Sequence, residues 1–418
     1  MAIIKIYRNG ITAQVRQQAV RVLKVYDHPV PAGILQSAFT QKGGWLLGTG
    51  AGTYAEFAPG STGQYPTPDP TAPTGIKWET PSVAIPDTTN YLINGGFDFA
   101  QRQAPGTLTA ISDNAYGADR WKMTRENADL QYQRNDANAE SGLTSRYYGR
   151  YKKITNAGKF MVFQIVEGWN SVPLRGKSIT FQAKMKASSS KTIRMAILQL
   201  QTGGTIDTIP KPIVTSWNVD STDPTLGTNI AVITGAVSKS VTTAWQNFSV
   251  SVTVPSDSKN IICAVWSDSD FSANDTLDIA EAGLFLGSNL LSWTPRLIQN
   301  EFDLCRRYYY KTFAVDQAPV QNAGILNAHR FIAGKAGVST QYTSWRIPTM
   351  RAAPTVTLYN PSAANAQVRD AGATADCSSS TAHTGLISDS MISVYCTGNA
   401  STAVGNPLDI HATADAEL

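Results

Sequence analysis

The sequence is short of the residues that build most metal and redox motifs. It contains four histidines and four cysteines in 418 residues. No two cysteines form a CxxC pair, and the histidines do not show the HExxH spacing, so no zinc or redox motif is recognisable. A GxSxG nucleophile elbow and a P-loop are also missing. The pattern therefore gives no support to a metalloprotease, a serine hydrolase or a P-loop nucleotidase.

Long apolar runs and clusters of basic residues are missing as well. No run approaches the ~20 residues of a membrane span, and MAIIKIYRNG reaches Lys5 before the apolar core of a signal peptide could form. The net charge of +4 is small and carries no Lys/Arg cluster, so nucleic acid is not an expected partner. We expect a protein made soluble in a cytoplasm, without membrane insertion.

Glycine, serine, threonine and asparagine are abundant, which favours strands and turns. Apolar and polar residues alternate in SITFQAKM, residues 178–185, and in NFSVSVTVP, residues 247–255. Such alternation predicts half-buried strands of antiparallel sheets. FMVFQIV, TIRMAILQL, NIICAVW and LDIAEAGLFL are further predicted strands. Many short strands without intervening helices predict a β-sandwich or jelly roll over residues 89–296, in a mainly all-β protein.

Two segments precede this domain. Residues 1–44 give a mixed signal: AIIKIY alternates like a strand, whereas ITAQVRQQAVRVLKVY fits either a helix or a strand. Residues 45–88 are rich in Gly, Pro and Thr and fit either a flexible linker or a small unit that orders when copies of the chain intertwine. Spaced apolar side chains favour the intertwined unit, namely Leu46, Leu47, Tyr54, Phe57, Ile76 and Trp78.

A short helix and a further β domain follow, over residues 297–418. In RLIQNEFDLCRRYYYKTF, one helical stripe contains Ile298, Phe302, Cys305 and Tyr309, and Pro295 suits the start of a helix. Strand patterns then return up to LDIHATADAEL, in which His411 is predicted to be structural. Cys377 and Cys396 flank a predicted hairpin and could approach each other, although a reducing cytosol disfavours a disulfide.

Three stretches, in this order, resemble parts of bacteriophage tail fibres and receptor-binding proteins. Residues 46–78 are similar to the short repeat-like shaft units of phage fibres. NYLINGGFDFAQRQ, followed by YGADRWK, EAGLFLG and WTPR, is similar to the carbohydrate-binding-like jelly roll of such fibres. EFDLCRRYYYKT, IPTMRAAPTVTLYNPSAAN and IHATADAEL resemble a C-terminal fibre domain. The set and its order are more specific than any one stretch.

The resemblance implies a homotrimeric tail fibre located in the virion and assembled in the host cytoplasm. Residues 1–44 would attach to phage tail or neck proteins, 45–88 would form the shaft, and the β domains would recognise a host polysaccharide or lipopolysaccharide. Two alternatives stay open: a short tailspike that depolymerises the glycan, and a structural head or neck fibre without a receptor. We expect no catalysis, because no nucleophile–base arrangement and no solenoid repeat stands out.

Glycan binding would need aromatic faces and hydrogen-bonding side chains in loops or on a sheet face. Trp169 in VEGWNSVP and Trp217 in VTSWNVDST lie in Asn/Ser-rich segments and are the first candidates, followed by Tyr116 in DNAYGADRW. Trp121, in YGADRW, is predicted to lie in the core.

Jelly rolls of the kind that the sequence resembles often hold a structural calcium ion between an acid near the first strand and one near the last. Asp98 in NGGFDF and Glu281 in IAEAGLF occupy matching places. Calcium takes several oxygen ligands, and the sequence identifies only these two. No other cofactor is expected.

Overall fold

The structure is a computed structural model that describes residues 4–8, 11–15, 40–80, 88–127, 129–138 and 140–418. The chain forms two compact units, Met1–Ile85 and Pro86–Leu418. The described residues of the first unit form three antiparallel hairpins: β1 (Ile4–Arg8) with β2 (Ile11–Val15), β3 (Trp45–Gly50) with β4 (Thr53–Phe57), and β5 (Tyr65–Pro68) with β6 (Ile76–Glu79). The sequence left the choice between helix and strand open for ITAQVRQQAVRVLKVY, and its residues 11–15 form a strand. Residues 16–39 of the predicted attachment segment lie outside the described residues.

Three aromatic side chains join the hairpins of the predicted shaft. The rings of Phe57 and Trp78 stack with their centroids 5.0 Å apart, and Trp45 lies 5.8 Å from Trp78. The Trp78 indole donates a hydrogen bond of 2.6 Å to the carbonyl of Ala58. These contacts favour an ordered unit over a flexible linker, and intertwining between copies stays a prediction.

The second unit begins with a sandwich of antiparallel strands. In chain order these are β7 (Thr109–Ala110), β8 (Lys122–Arg125), β9 (Leu130–Asp136), β10 (Tyr147–Lys153), β11 (Phe160–Val166), β12 (Ser178–Ala187), β13 (Lys191–Leu200), β14 (Val214–Ser216), β15 (Thr225–Leu226), β16 (Ile230–Val232), β17 (Val237–Val241), β18 (Gln246–Thr253), β19 (Asn260–Ser267) and β20 (Thr276–Leu286). The first sheet has the order β18-β12-β20-β10-β9-β7. The second has the order β16-β13-β19-β11-β8, with β17 also paired to β13, while β14 and β15 form a separate hairpin.

The core between the two sheets follows from the alternation in the sequence. Ile179, Phe181 and Met185 of β12 are buried against the inward side chains of the second sheet. Trp121 is buried as predicted, stacks on Phe97 at 5.2 Å, and donates its indole hydrogen to the carbonyl of Asn94. The mainly all-β sandwich expected from the sequence is confirmed.

The outer face of the second sheet is apolar too, which explains why FMVFQIV and NIICAVW are continuous apolar runs rather than alternating ones. Met161, Phe163, Leu198, Ile262 and Trp266 form a second buried cluster on this face. Helix α2 (Ile298–Arg306) and the final residue of the chain complete the cluster. The sandwich and the C-terminal part of the chain therefore share one hydrophobic core.

Helix α2 confirms the predicted helix but only part of its predicted stripe. Phe302 and Cys305 pack on the sandwich, and the Phe302 ring lies 4.9 Å from that of Phe99. Ile298 is 60% exposed. Tyr309 is not helical, because the helix ends at Arg306 and Tyr309 pairs with Asp415 as part of a strand. Strand pairing with the end of the chain overrides the helical period there.

The C-terminal strands are β21 (Tyr309–Lys311), β22 (His329–Ile332), β23 (Thr340–Arg346), β24 (Thr355–Tyr359), β25 (Arg369–Asp370), β26 (Ala375–Asp376), β27 (Ser379–Ala382), β28 (Met391–Thr397) and β29 (Pro407–Asp415). Strand β29 pairs with β21, β22, β24 and β25, and a separate sheet has the order β23-β28-β27. The Cys377 and Cys396 sulfur atoms approach each other, as predicted, to 3.6 Å, which is a contact between thiols and not a bond. No helix in the described ranges is long and apolar enough to cross a membrane.

His411 of β29 is structural, as predicted. Its ring is buried and stacks on Phe313 at 4.1 Å. Nδ1 lies 2.9 Å from the Thr312 hydroxyl, and Nε2 lies 2.9 Å from the carbonyl of Gly324. A carbonyl can only accept, so Nε2 carries a proton and donates it to Gly324. Burial lowers the pKa of His411 below its ordinary value.

We predict that substituting Phe302 by alanine lowers the free energy of unfolding by about 2–3 kcal/mol, because the ring is removed from a cluster that the sandwich shares with the helix. Ile298→Ala, one turn earlier at the exposed start of the helix, is the matched control and should change stability by no more than about 0.5 kcal/mol. Denaturant melts followed by circular dichroism measure both. Equal effects of the two variants would contradict the shared core.

A second prediction concerns pH. The unfolded histidine takes up a proton near pH 6.5, whereas the folded His411 does so only at lower pH. The free energy of unfolding should therefore fall as the pH drops through 6.5, by about 1.4 kcal/mol per unit of pKa depression. In His411→Asn, the loss of stability from pH 7.5 to 5.5 should be smaller than in the wild type, which thermal melts at both pH values will measure. An unchanged pH dependence would show that His411 titrates normally.

Candidate functional site

The most exposed tryptophan side chain of the sandwich lies at the end of β11. Helix α1 (Gly168–Ser171) and a 3-10 turn (Val172–Leu174) follow that strand directly and present Trp169, which is 81% exposed. Beside it lies an open cavity of about 460 Å³, lined by Gly168, Trp169, Val172, Pro173, Ile206 and Asp207. Most of this lining is apolar side-chain surface.

Hydrogen bonds tie the two loops of this cavity together. The Asp207 carboxylate accepts from the backbone N–H of Gly168 and from the side-chain amide of Asn260, both at 2.7 Å. The Asp207 backbone N–H donates back to the Asn260 side-chain oxygen at 2.8 Å. Asn260 is fully buried and also donates to the carbonyl of Val166. The loop that contains Ile206 is therefore held against the loop that contains Trp169. We call these two tied loops, residues 167–174 and 205–209, the Trp169 platform.

The buried carboxylate of Glu167 connects the platform to the residues that follow helix α2. Glu167 accepts two hydrogen bonds from the Arg307 guanidinium, at 2.7 and 3.1 Å, and one of 2.7 Å from the Tyr308 hydroxyl. Burial alone would raise the pKa of Glu167, but these hydrogen bonds outweigh it and hold the pKa below its ordinary value. The ionised carboxylate connects the start of α1 to the end of α2, so the platform rests on the shared core.

This arrangement can bind a flat ligand that is partly apolar. A ring that is exposed to water contributes little to the packing of the core. A pyranose presents an apolar C–H face that can stack on such a ring. Pro173 and Ile206 extend the apolar surface beside the indole. Within the described residues, the indole N–H of Trp169 has no hydrogen-bond partner, so it is available to a ligand hydroxyl.

The structure separates the three residues that the sequence pattern selected. Trp217 follows β14 and is half-buried against the outer cluster of the second sheet. Tyr116 is half-buried, donates its hydroxyl hydrogen to the carbonyl of Leu418 at 3.1 Å, and is covered by the Arg102 guanidinium at 4.7 Å. Neither residue lines the cavity at Trp169. Of these three residues, only Trp169 offers an open ring face and lines this cavity.

Of the two predicted calcium ligands, Glu281 already has protein partners. Glu281 is buried, accepts hydrogen bonds from Thr144 and Ser145, and forms an ion pair of 2.7 Å with Lys184. The ammonium group already supplies the positive charge there. Burial and the nearby charge of Glu301 raise the pKa of Asp98. In the part of the chain that the structure describes, no three His, Cys, Asp or Glu side chains are grouped to hold a metal ion, and calcium stays a prediction.

Sequence reasoning missed Ile206 and Asp207. Both lie in TGGTIDTIP, in the loop that follows β13, and the pairing of β19 with both β11 and β13 brings the two loops together. One local feature could have indicated Ile206: it is a large apolar residue within a Gly/Thr-rich segment that shows no strand pattern. Asp207 adopts a left-handed backbone with a φ of 60°, which short polar residues tolerate best.

We predict that Asn260→Ala loosens the platform, because it removes three hydrogen bonds and leaves the Asp207 carboxylate short of a donor. The loss of stability should be about 1–3 kcal/mol, and the amides of residues 167–174 and 205–209 should exchange hydrogen faster. Asn170→Ala, an exposed asparagine on α1, is the matched control and should leave both properties unchanged. Hydrogen exchange followed by mass spectrometry decides, and unaltered exchange in Asn260→Ala would refute the tie.

Comparisons with known proteins give distant likenesses. No protein-family model and no curated protein sequence matches the chain. Among solved structures, TmCBM61 in complex with β-1,4-galactotriose shares 13% identity over 48% of this chain and 99% of its own, with a TM-score of 0.30. The enzymatically active domain of bacteriophage CBA120 tailspike protein 4 shares 11% identity over 47% of this chain and 21% of its own, with a TM-score of 0.30. The C-terminal family 22 carbohydrate-binding module of Clostridium thermocellum Xyn10B shares 11% identity over 45% of this chain and 97% of its own, with a TM-score of 0.27. Likenesses this weak carry no conclusion about function.

Proposed function

We propose that this protein is a non-catalytic receptor-binding fibre of a bacteriophage, which recognises a glycan on the host surface through the Trp169 platform. One observation carries the proposal. Trp169 is 81% exposed and yet stands on loops that are held by the Asp207–Asn260 and Glu167–Arg307 hydrogen bonds. A preorganised aromatic surface loses little entropy when it binds a ligand.

The chemistry of the cavity favours binding over cleavage. Retaining and inverting glycosidases use a pair of carboxylates on either side of the scissile bond. Asp207 is the single carboxylate that lines this cavity, and its oxygen Oδ1 already accepts hydrogen bonds from Gly168 and Asn260. A group used in this way holds a loop in place and is poorly suited to act as an acid or a nucleophile.

The phage assignment rests on the sequence resemblance of the shaft, the jelly roll and the C-terminal domain to parts of tail fibres. In this proposal three chains form the fibre, and residues 1–44 attach it to the virion. A single exposed ring binds a sugar weakly. Three tethered copies that engage one glycan surface raise the avidity by a factor of ~10²–10⁴ when the geometry permits simultaneous contact, which suits a receptor-binding fibre.

The test compares two tryptophans on an array of bacterial lipopolysaccharides and capsular polysaccharides. Trp169→Ala should weaken binding by at least about fivefold, the equivalent of roughly 1 kcal/mol for one lost ring contact, without a change in melting temperature. Trp217→Ala is the matched control: its ring is half-buried, so this variant should lower the melting temperature. Light scattering should give a mass of three chains for the wild type and for Trp169→Ala.

Unchanged array binding by Trp169→Ala would overturn the proposed site. A mass of one chain for the wild type would overturn the trimer. The release of reducing ends from an array polysaccharide, in proportion to the amount of protein, would favour a depolymerase instead.

A further inference from the structure

A second aromatic surface lies on the three-stranded sheet β23-β28-β27 of the C-terminal part. In this sheet Tyr342 pairs with Tyr395, and Tyr395 pairs with Thr381. Residues directly opposite each other on paired strands direct their side chains to the same face. Thr381, Tyr395 and Tyr342 therefore form one row across the sheet, and we call the face that contains this row the Tyr342 face.

One side of the sheet is buried and the Tyr342 face is open. Ile392, Val394 and Cys396 of β28 are fully buried in the C-terminal core. Tyr342 on the other side is 64% exposed. The imidazole of His383 lies 5.5 Å from the Tyr395 ring, so the Tyr342 face carries three neighbouring rings.

The rings are surrounded by hydroxyl groups that have no partner in the protein. A cavity of about 410 Å³ on this face is lined by Thr340, Tyr342, Thr381, Ala382, His383, Thr384 and Tyr395. Within the described residues, the hydroxyl groups and the imidazole of this lining make no hydrogen bond to protein. One row away on the same sheet, the hydroxyls of Ser344 and Ser393 do bond to each other, at 2.9 Å. The cavity therefore offers free donors and acceptors around aromatic rings.

The chemistry of the lining selects one class of ligand. The lining includes no Lys, Arg, Asp or Glu, so no permanently charged side chain is there to pair with a charged ligand. A neutral polyhydroxylated ligand matches both features, because its C–H faces stack on rings and its hydroxyls bond to threonine and tyrosine. The volume lies within the range of about 300–1,000 Å³ that is usual for small-molecule sites.

We propose that the Tyr342 face is a second glycan-binding site, specific for neutral pyranose units. It relies on the proposed function for the class of ligand, but it lies on a different sheet from Trp169 and uses different residues. Two sites per chain would let a fibre contact two parts of one surface polysaccharide, or two different glycans.

The experiment uses the full chain on the same polysaccharide array. Tyr342→Ala should weaken binding to at least one neutral polysaccharide by about fivefold. Tyr342→Phe keeps the ring and should stay within about twofold of the wild type. Val338→Ala is the control, since Val338 is exposed in the same part of the chain but does not line the cavity; it should bind normally. Melting temperature and light-scattering mass should be the same for all variants.

The outcomes separate this site from the Trp169 platform. Loss of binding in Trp169→Ala with normal binding in Tyr342→Ala overturns the second site alone. The reverse result supports the second site and overturns the platform, and a wild type that binds no array polysaccharide overturns both. A Tyr342→Ala protein with a smaller mass than the wild type would show that the face is a contact between copies of the chain and would overturn the proposal.

Discussion

The fold depends on one sheet that is apolar on both faces. The inner face of β11, β13 and β19 packs against the first sheet, as in any sandwich. Their outer face is equally apolar and is covered by loops of the sandwich together with helix α2, Tyr308 and Leu418. Burial of apolar area, at about 25 cal/mol per Å², is thus what joins the C-terminal part to the sandwich.

Buried charged groups also lie where the C-terminal part packs on the sandwich. The Arg120 guanidinium is buried, lies 3.5 Å from the centre of the Tyr308 ring, and bonds to the carbonyl of Ile165 and to Glu417. A buried charge is tolerated when it is paired and hydrogen-bonded. Arg102 pairs with Asp415 at 3.0 Å in the same region. The last residues of the chain are therefore held by ion pairs of Asp415 and Glu417 as well as by the apolar burial of Leu418.

The two proposed glycan sites draw on this architecture in different ways. The Trp169 platform lies at the end of β11, and the Glu167–Arg307 hydrogen bonds join it to α2, so its rigidity comes from the shared core. The Tyr342 face is the open side of a sheet whose other side is buried. The register of the paired strands fixes the positions of Tyr342 and Tyr395 on it. The lining of the first cavity contains one aromatic ring and one carboxylate, and that of the second contains three rings and no Lys, Arg, Asp or Glu. They differ in hydroxyl content, which is high only on the Tyr342 face.

Local sequence patterns predicted six strands of the sandwich, β11, β12, β13, β18, β19 and β20, and the existence of α2, because alternation and helical period report on which side chains are buried. The buried position of Trp121 was implied by the resemblance that YGADRW carries. Local patterns also selected Trp169, since a large ring in an Asn/Ser-rich segment has no strand to pack into. Tertiary structure alone decided the rest. Tyr309 is not helical because it forms backbone hydrogen bonds with β29. Trp217 packs against apolar residues that are distant in sequence, which no local pattern reveals. Ile206 and Asp207 met Trp169 through the pairing of strands distant in sequence, and the row of Thr381, Tyr395 and Tyr342 exists because register places them opposite one another.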